Sequence, residues 1–172
     1  AAFPDAPNDL GFARVTAALA AFQRTMISFG SAHDRGRLSP LAQRGARQFV
    51  AAGCGSCHSG PDFTDSKTHY VGTAAPQEVD AAAYGGKPLP PGFEPPPEQF
   101  RTPSLRNVAV TGPWLHDGQS PTIESAIRRH AAPMLVDVDM PALLAFLDAL
   151  TDHDFLKNAA LGRPAASCPI PA

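Results

Sequence analysis

The segment AAGCGSCHSG, residues 51–60, places a histidine directly after two cysteines that are separated by two residues. The C-x-x-C-H pattern of Cys54, Cys57 and His58 is typical of covalent c-type haem attachment. In such sites the two thiols bind the porphyrin vinyl groups as thioethers, and the next residue projects to the iron. We therefore predict one covalent haem c, with His58 as its proximal ligand.

Two other uses of a CxxC pair stay open from the residues alone. A structural zinc site needs two further ligands at short spacing, and the sequence has no second CxxC and no HxxxH. A thioredoxin-like dithiol opens a helix directly after a buried strand, whereas here a helix is predicted to precede the pair. The third cysteine, Cys168, lies alone in a Pro-rich tail and receives no role.

Apolar residues recur at helical spacing over residues 9–29 and predict a core helix. Ser39 as N-cap, Pro40 at the first helical position and Gly53 as the stop predict a second helix, which delivers the chain to Cys54. The apolar face predicted for this second helix contains Leu41, Phe49 and Val50.

Regular pattern is absent over residues 61–100, a loop-rich stretch that contains the Pro-rich segment 85–97. Regularity returns over residues 120–131, and a last helix is predicted to begin near Asp139 with Pro141 in its first turn. The residues predicted to share one side of the helix within 120–131 are Ile123, Ala126, Ile127 and His130. The residues that the last helix is predicted to bury are Leu143, Leu144, Leu147 and Leu150.

This order of elements predicts an all-α, c-type cytochrome fold, in which a few helices and long irregular loops surround one covalent haem. We expect residues 1–172 to form a single cytochrome c domain, because the length suits one ordinary domain. A net charge of -2 disfavours nucleic acid as a partner. The longest apolar run, LLAFLDAL, is much shorter than a bilayer span, so we expect no membrane insertion.

Two long stretches carry a family resemblance. The segments LSPLAQRGARQFVAAGCGSCHSGPDFTD, residues 38–65, and FRTPSLRNVAVTGPWLHDGQSPTIESAIRRH, residues 100–130, closely resemble the C-terminal haem domain of the bacterial dihaem cytochrome c peroxidase/MauG family. Members of that family carry a second, N-terminal CxxCH, which holds the haem at which peroxide is cleaved. This sequence has one such motif, so we expect a fragment or subunit of a longer dihaem protein, or a natural single-haem protein.

Helix geometry nominates His130 as the second axial ligand, because it shares the apolar side of its helix with Ile123, Ala126 and Ile127. In the family this position is Met or Tyr, so the resemblance does not by itself predict His. A helix-end histidine that balances the helix dipole is the other interpretation, and Met134 is the alternative ligand.

The resemblance also implies further contacts of the cofactor. It places Arg101 and Arg106 near the haem propionates, where a guanidinium binds carboxylate with two hydrogen bonds. It matches Thr111 and Pro113 to residues whose carbonyls help to hold a calcium ion.

These residues favour electron transfer through a bis-His haem of low potential, as the electron-relay domain of a protein of this family. The alternative is a haem enzyme with peroxidase activity, in which the sixth ligand leaves the iron. We assign no catalytic residue. The expected partner is a redox partner protein or an N-terminal haem domain, and haem attachment by this chemistry predicts a periplasmic location.

Overall fold

The computed structural model describes residues 11–70, 99–131 and 137–162. The predicted Pro-rich segment 85–97 and the alternative ligand Met134 lie outside the described residues. The chain divides into two compact units, Ala1–Gly30 with Asp152–Ala172, and Ser31–Thr151. The helices are α1 (Phe12–Gln23), α2 (Pro40–Ala51), α3 (Ile123–Ala131), α4 (Met140–Asp148) and α5 (His153–Leu156), the strands are β1 (Thr68–Tyr70) and β2 (Gln99–Arg101), and short 3₁₀ helices cover Cys54–Ser56, Val108–Val110 and Ala159–Leu161.

The start and end of α2 agree with the sequence prediction. The Ser39 hydroxyl accepts a hydrogen bond from the Ala42 backbone N–H at 3.1 Å, and Pro40 occupies the first turn. After the helix, Gly53 has a φ of 74°, a left-handed conformation that glycine adopts without a steric penalty. The chain therefore turns sharply just before Cys54.

Helices α2 and α4 cross at very close range inside the Ser31–Thr151 unit. A Cβ atom placed on Gly45 would lie 1.9 Å from the carbonyl oxygen of Ala142, so only glycine fits there. Ala42 and Phe49 are the other buried residues of α2. The prediction for this helix was wrong at Leu41 and Val50, which are exposed, because its buried face is the one that contains the small residues of the crossing.

The core of this unit is built mainly from α4 and from aromatic rings of the preceding segments. The rings of Phe49 and Phe63 meet edge to face with centroids 6.2 Å apart, and Phe146 contacts both. Helix α4 begins where predicted, with the Asp139 carboxylate accepting from the Ala142 N–H at 3.1 Å. The buried residues of the core are Phe49, Phe63, Met140, Leu143, Phe146, Leu147 and Leu150.

Helix α3 presents the apolar side that the sequence predicts. Ala126 is buried, and Ile123 and Ile127 pack against the core. Thr122 and Ser125 exchange hydrogen bonds at the start of the helix, each side chain accepting from the backbone N–H of the other at 3.0 and 3.2 Å. This reciprocal cap fixes where the helix begins.

Strands β1 and β2 form an antiparallel pair in which Thr68 faces Arg101 and Tyr70 faces Gln99. The sequence analysis predicted only loop here. Beside the pair, the Thr102 N–H donates to the Lys67 carbonyl at 2.8 Å. The predicted helical fold class is therefore confirmed, with one small two-stranded sheet among the described residues.

The other unit contains α1 and α5. Asp152 caps α5 and also accepts a hydrogen bond from the Gly30 N–H at 2.7 Å. Helix α1 buries none of its residues, and Phe12 is 84% exposed, so the prediction of a core helix over residues 9–29 was wrong. Periodicity identified the helix correctly but could not identify what covers its apolar side. None of the helices in the described ranges is long and apolar enough to cross a membrane.

Candidate haem-binding site

The CxxCH motif forms one tight turn that follows α2. Cys54 begins the 3₁₀ helix, and the backbone N–H of His58 donates to the Cys54 carbonyl at 3.0 Å. Cys54 and Cys57 are free thiols and both are half-buried. The turn therefore presents two sulfur atoms and one imidazole from a single short piece of backbone.

The environment of the thiols does not favour dithiol chemistry. Burial raises the pKa of the Cys54 thiol, whereas the nucleophilic cysteine of a redox pair has a lowered pKa. The motif also follows a helix, as the sequence predicted, and not a strand. Within residues 11–70, 99–131 and 137–162 no group of three or more His, Cys, Asp or Glu side chains is arranged to hold a metal ion.

Backbone carbonyls of Phe63 and Pro103 lie against the ring of His58. Its Nδ1 lies 3.1 Å from the Phe63 carbonyl oxygen. The tautomer that donates from Nδ1 to this oxygen carries its lone pair on Nε2, the arrangement that metal-binding histidines use. Burial lowers the pKa of His58, which keeps the imidazole neutral and able to bind a metal.

His130 lies on α3, and its ring faces that of His58. The two ring centroids are 6.3 Å apart and the ring planes meet at 71°. Burial, and secondly the nearby His58, lower the pKa of His130. Its Nδ1 is buried and has no hydrogen-bond partner among the residues that the structure describes. Two neutral imidazoles therefore come together from distant parts of the chain.

The centroid spacing of these imidazoles leaves room for one metal ion between them. A metal–imidazole bond is about 2.0–2.1 Å long, and a ring centre lies about 1.1 Å beyond the bonding nitrogen. Two imidazoles on opposite sides of one metal ion thus have ring centres about 6.3 Å apart, by the same bond length. The cysteines, His58 and His130 together fit the ligand set of a covalently bound haem.

The two arginines predicted near the propionates have different environments. Arg101 ends β2 and is exposed. Arg106 is buried, and its guanidinium donates to both carboxylate oxygens of Asp34 at 2.9 Å and to the Pro61 carbonyl at 2.6 Å. Nη1 and Nη2 of Arg106 thus donate to protein acceptors, and a propionate contact of this residue stays a prediction. A propionate contact of Arg101 stays a prediction.

The remaining sequence candidates lie on the turn between the 3₁₀ helix Val108–Val110 and α3. Thr111 and Pro113 are exposed, and their assignment to calcium stays a prediction. His116 is exposed as well, and its ring stacks on Phe100 with centroids 3.9 Å apart. On the same turn, the Trp114 indole donates to the Val108 carbonyl at 2.7 Å.

Three polar pairs near the motif were missed by the sequence analysis. Asp34 pairs with Arg106, and Arg129 donates to both oxygens of Asp117 at 3.0 and 2.5 Å. In the third pair, His69 Nε2 lies 2.7 Å from an oxygen of Asp65. None of the three pairs carries a local signal, because Asp65 and His69 do not share a helix and the other partners lie further apart in the sequence.

The helical core, the CxxCH turn and the facing imidazoles define a c-type cytochrome-like fold. No family model matches the chain. It is 38% identical over 125 residues to the methylamine utilization protein MauG of Methylorubrum extorquens, a match that covers 69% of this chain and 34% of the relative. It is 32% identical over 148 residues to cytochrome c551 peroxidase of Nitrosomonas europaea, a match that covers 80% of this chain and 44% of the relative.

A solved structure is similar over most of the chain. It is the crystal structure of a MauG-like protein associated with microbial copper homeostasis, with a TM-score of 0.68 and 27% identity, covering 94% of this chain and 64% of that one. The chain belongs to the dihaem cytochrome c peroxidase/MauG family, a family of haem c redox proteins. It spans between a third and a half of the length of the two curated relatives.

Proposed function

We propose that this chain is an electron-transfer domain that binds one haem covalently through Cys54 and Cys57, with His58 and His130 as the two axial ligands. The observation that carries the proposal is the 6.3 Å spacing of the two imidazole centroids. Bound in this way, haem supplies one-electron redox chemistry between ferric and ferrous iron without an open coordination position.

The residues of the chain have separate tasks in this function. Cys54 and Cys57 fix the porphyrin edge to the turn after α2. His58 is held by the Phe63 carbonyl, and α3 carries His130 on its apolar side. Ile127, one turn before His130, packs against the core and so limits the access of water to this side of the site. A site whose ligands are held in place suits electron transfer, because little has to reorganise when the charge changes.

The wider role is also a proposal. Because the chain covers only part of its relatives, we infer that it serves as the C-terminal electron-relay domain of a dihaem protein and receives electrons from a redox partner protein. Two relatives are named cytochrome c551 peroxidase, which supports peroxide as the final electron acceptor of the whole protein. Covalent haem attachment supports a periplasmic location.

Two measurements on the chain matured with haem test this function. The mass of the protein after acid-acetone extraction should still include one haem. The ferric protein should have a low-spin spectrum that cyanide and peroxide leave unchanged, and the reduced protein should not bind carbon monoxide. An apoprotein mass contradicts haem attachment. A high-spin fraction that binds these ligands favours the alternative in which the sixth ligand leaves the iron.

A further inference from the structure

Asp34 and Arg106 form a buried ion pair with two parallel hydrogen bonds. Nη1 and Nη2 of Arg106 donate to the two oxygens of Asp34 at 2.9 Å each, and the side chains are 8% and 13% exposed for Arg106 and Asp34. The Ser31 hydroxyl donates to the same carboxylate at 2.7 Å. These donors, Arg106 first, hold the pKa of Asp34 well below its usual range, so the pair stays charged and rigid.

The same guanidinium contacts the turn that follows the CxxCH motif. Nη2 of Arg106 also donates to the Pro61 carbonyl at 2.6 Å, and Nε lies 3.4 Å from a carboxylate oxygen of Asp62. Ser104 accepts from the Arg106 backbone N–H at 3.1 Å and donates to the Asp62 carbonyl at 2.6 Å. Two consecutive carbonyls of the turn are thus held by one small cluster.

Phe63, the next residue, has a strained backbone. Its φ is 51°, a left-handed conformation that bulky side chains rarely adopt. Such a residue persists only where its surroundings hold it in place. Here its ring is buried in the core against Phe49, and its carbonyl faces Nδ1 of His58 at 3.1 Å. The conformation of Phe63 therefore sets the position of one of the two backbone carbonyls, those of Phe63 and Pro103, that interact with His58.

We propose that the Asp34–Arg106 pair positions the Phe63 carbonyl against His58 and thereby lowers the reduction potential of the haem. The inference rests on the proposed function, because it takes His58 to be an iron ligand. A histidine whose second ring nitrogen donates to a carbonyl is a more basic ligand. More basic ligation stabilises ferric iron relative to ferrous iron. Arg106 and Asp34 act only through this carbonyl and are positioning residues.

The test is a redox titration of the haem-bearing chain and three variants. In Asp34→Asn and Arg106→Lys the double hydrogen bond is lost, and we expect at least a tenfold higher ferrous-to-ferric ratio at a fixed potential. For a one-electron couple this is a positive shift of about 59 mV. Ser104→Ala removes one bond to the turn and leaves the ion pair intact, so its shift should have the same sign and be smaller. If the first two variants do not fold, the reduction potential of Ser104→Ala tests the proposal by itself.

The control is Arg128→Gln, which breaks an exposed pair with Glu124 on α3 and should leave the potential unchanged. General loosening of the site would admit water to the haem and shift the potential in the negative direction. A negative shift, or unchanged potentials in Asp34→Asn and Ser104→Ala, overturns this inference alone. A wild-type chain that carries no haem overturns the proposed function as well.

Discussion

The centroids of the His58 and His130 imidazole rings lie 6.3 Å apart with ring planes at 71°, although α3 and the CxxCH turn are far apart in the sequence. A different structural feature places each of the two rings. His58 is placed by a backbone carbonyl and His130 by the amphipathic pattern of its helix. The chain thus builds the two sides of one site from a turn and a helix face.

Replacing His130 should open the sixth coordination position. We expect His130→Ala to convert a low-spin ferric spectrum to a high-spin one, and the reduced protein to bind carbon monoxide, because alanine supplies no ligand. Absorption spectra before and after exposure to carbon monoxide measure both effects. Met134→Ala is the matched control and should keep the wild-type spectrum. The opposite pattern would identify Met134 as the ligand, and the haem potential would then be higher.

Peroxidase turnover by this polypeptide alone should be negligible. Cleavage of peroxide needs an open iron position and a nearby group that moves a proton between the oxygens. Asp117, one of the carboxylates near the site, is held by Arg129. Steady-state assays with hydrogen peroxide and a reduced cytochrome should give far less than the order of 10 per second of a working enzyme. Turnover at that level would show that the sixth ligand leaves the iron.

A side chain at Gly45 should strongly destabilise the helix crossing. Gly45→Ala directs its Cβ to within 1.9 Å of the Ala142 carbonyl, so α2 and α4 must separate. Overpacking of this kind lowers the free energy of unfolding by about 1–3 kcal/mol, and a backbone obstacle favours the upper end. Urea unfolding of the haem-bearing protein measures the change. Arg47→Ala, an exposed position on the same helix, should change stability by less than about 0.5 kcal/mol.

The Asp117–Arg129 pair should contribute to the loss of stability in acid. The guanidinium of Arg129 lowers the pKa of Asp117 from 3.8 to about 2. Between these values the unfolded chain binds more protons than the folded one, so stability rises with pH. The contribution is complete above about pH 4 and is lost as the pH falls through 2. Asp117→Asn should flatten this part of the curve of unfolding free energy against pH, and an unchanged slope would show that the pair contributes nothing.

The sequence predicted elements whose signals are local. The Ser39 cap, the Gly53 stop and the apolar side of α3 all follow from residues a few positions apart. Helix periodicity was less informative about what each face contacts. It assigned Leu41 and Val50 to the core, whereas the close crossing at Gly45 turns a face of small residues inward.

The site was predictable in its side chains and not in its backbone. The motif predicted His58, and helix spacing placed His130 on the apolar side. The Phe63 carbonyl could not be found, since every residue carries a carbonyl and only the fold directs this one at His58. Asp34 and Arg106 were missed as a pair because nothing in the local sequence links residues so far apart.

The register of β1 and β2 has a consequence for engineering and for the evolution of chain length. Because Tyr70 pairs directly with Gln99, the described residues on either side of 71–98 lie next to each other. The entropy of closing a loop rises only slowly with its length, so this junction tolerates insertions and deletions at little thermodynamic cost. Joining the two strands through Asn-Gly would suit a hairpin turn. This point of the molecule is therefore a natural position for grafting a new recognition loop onto a redox domain.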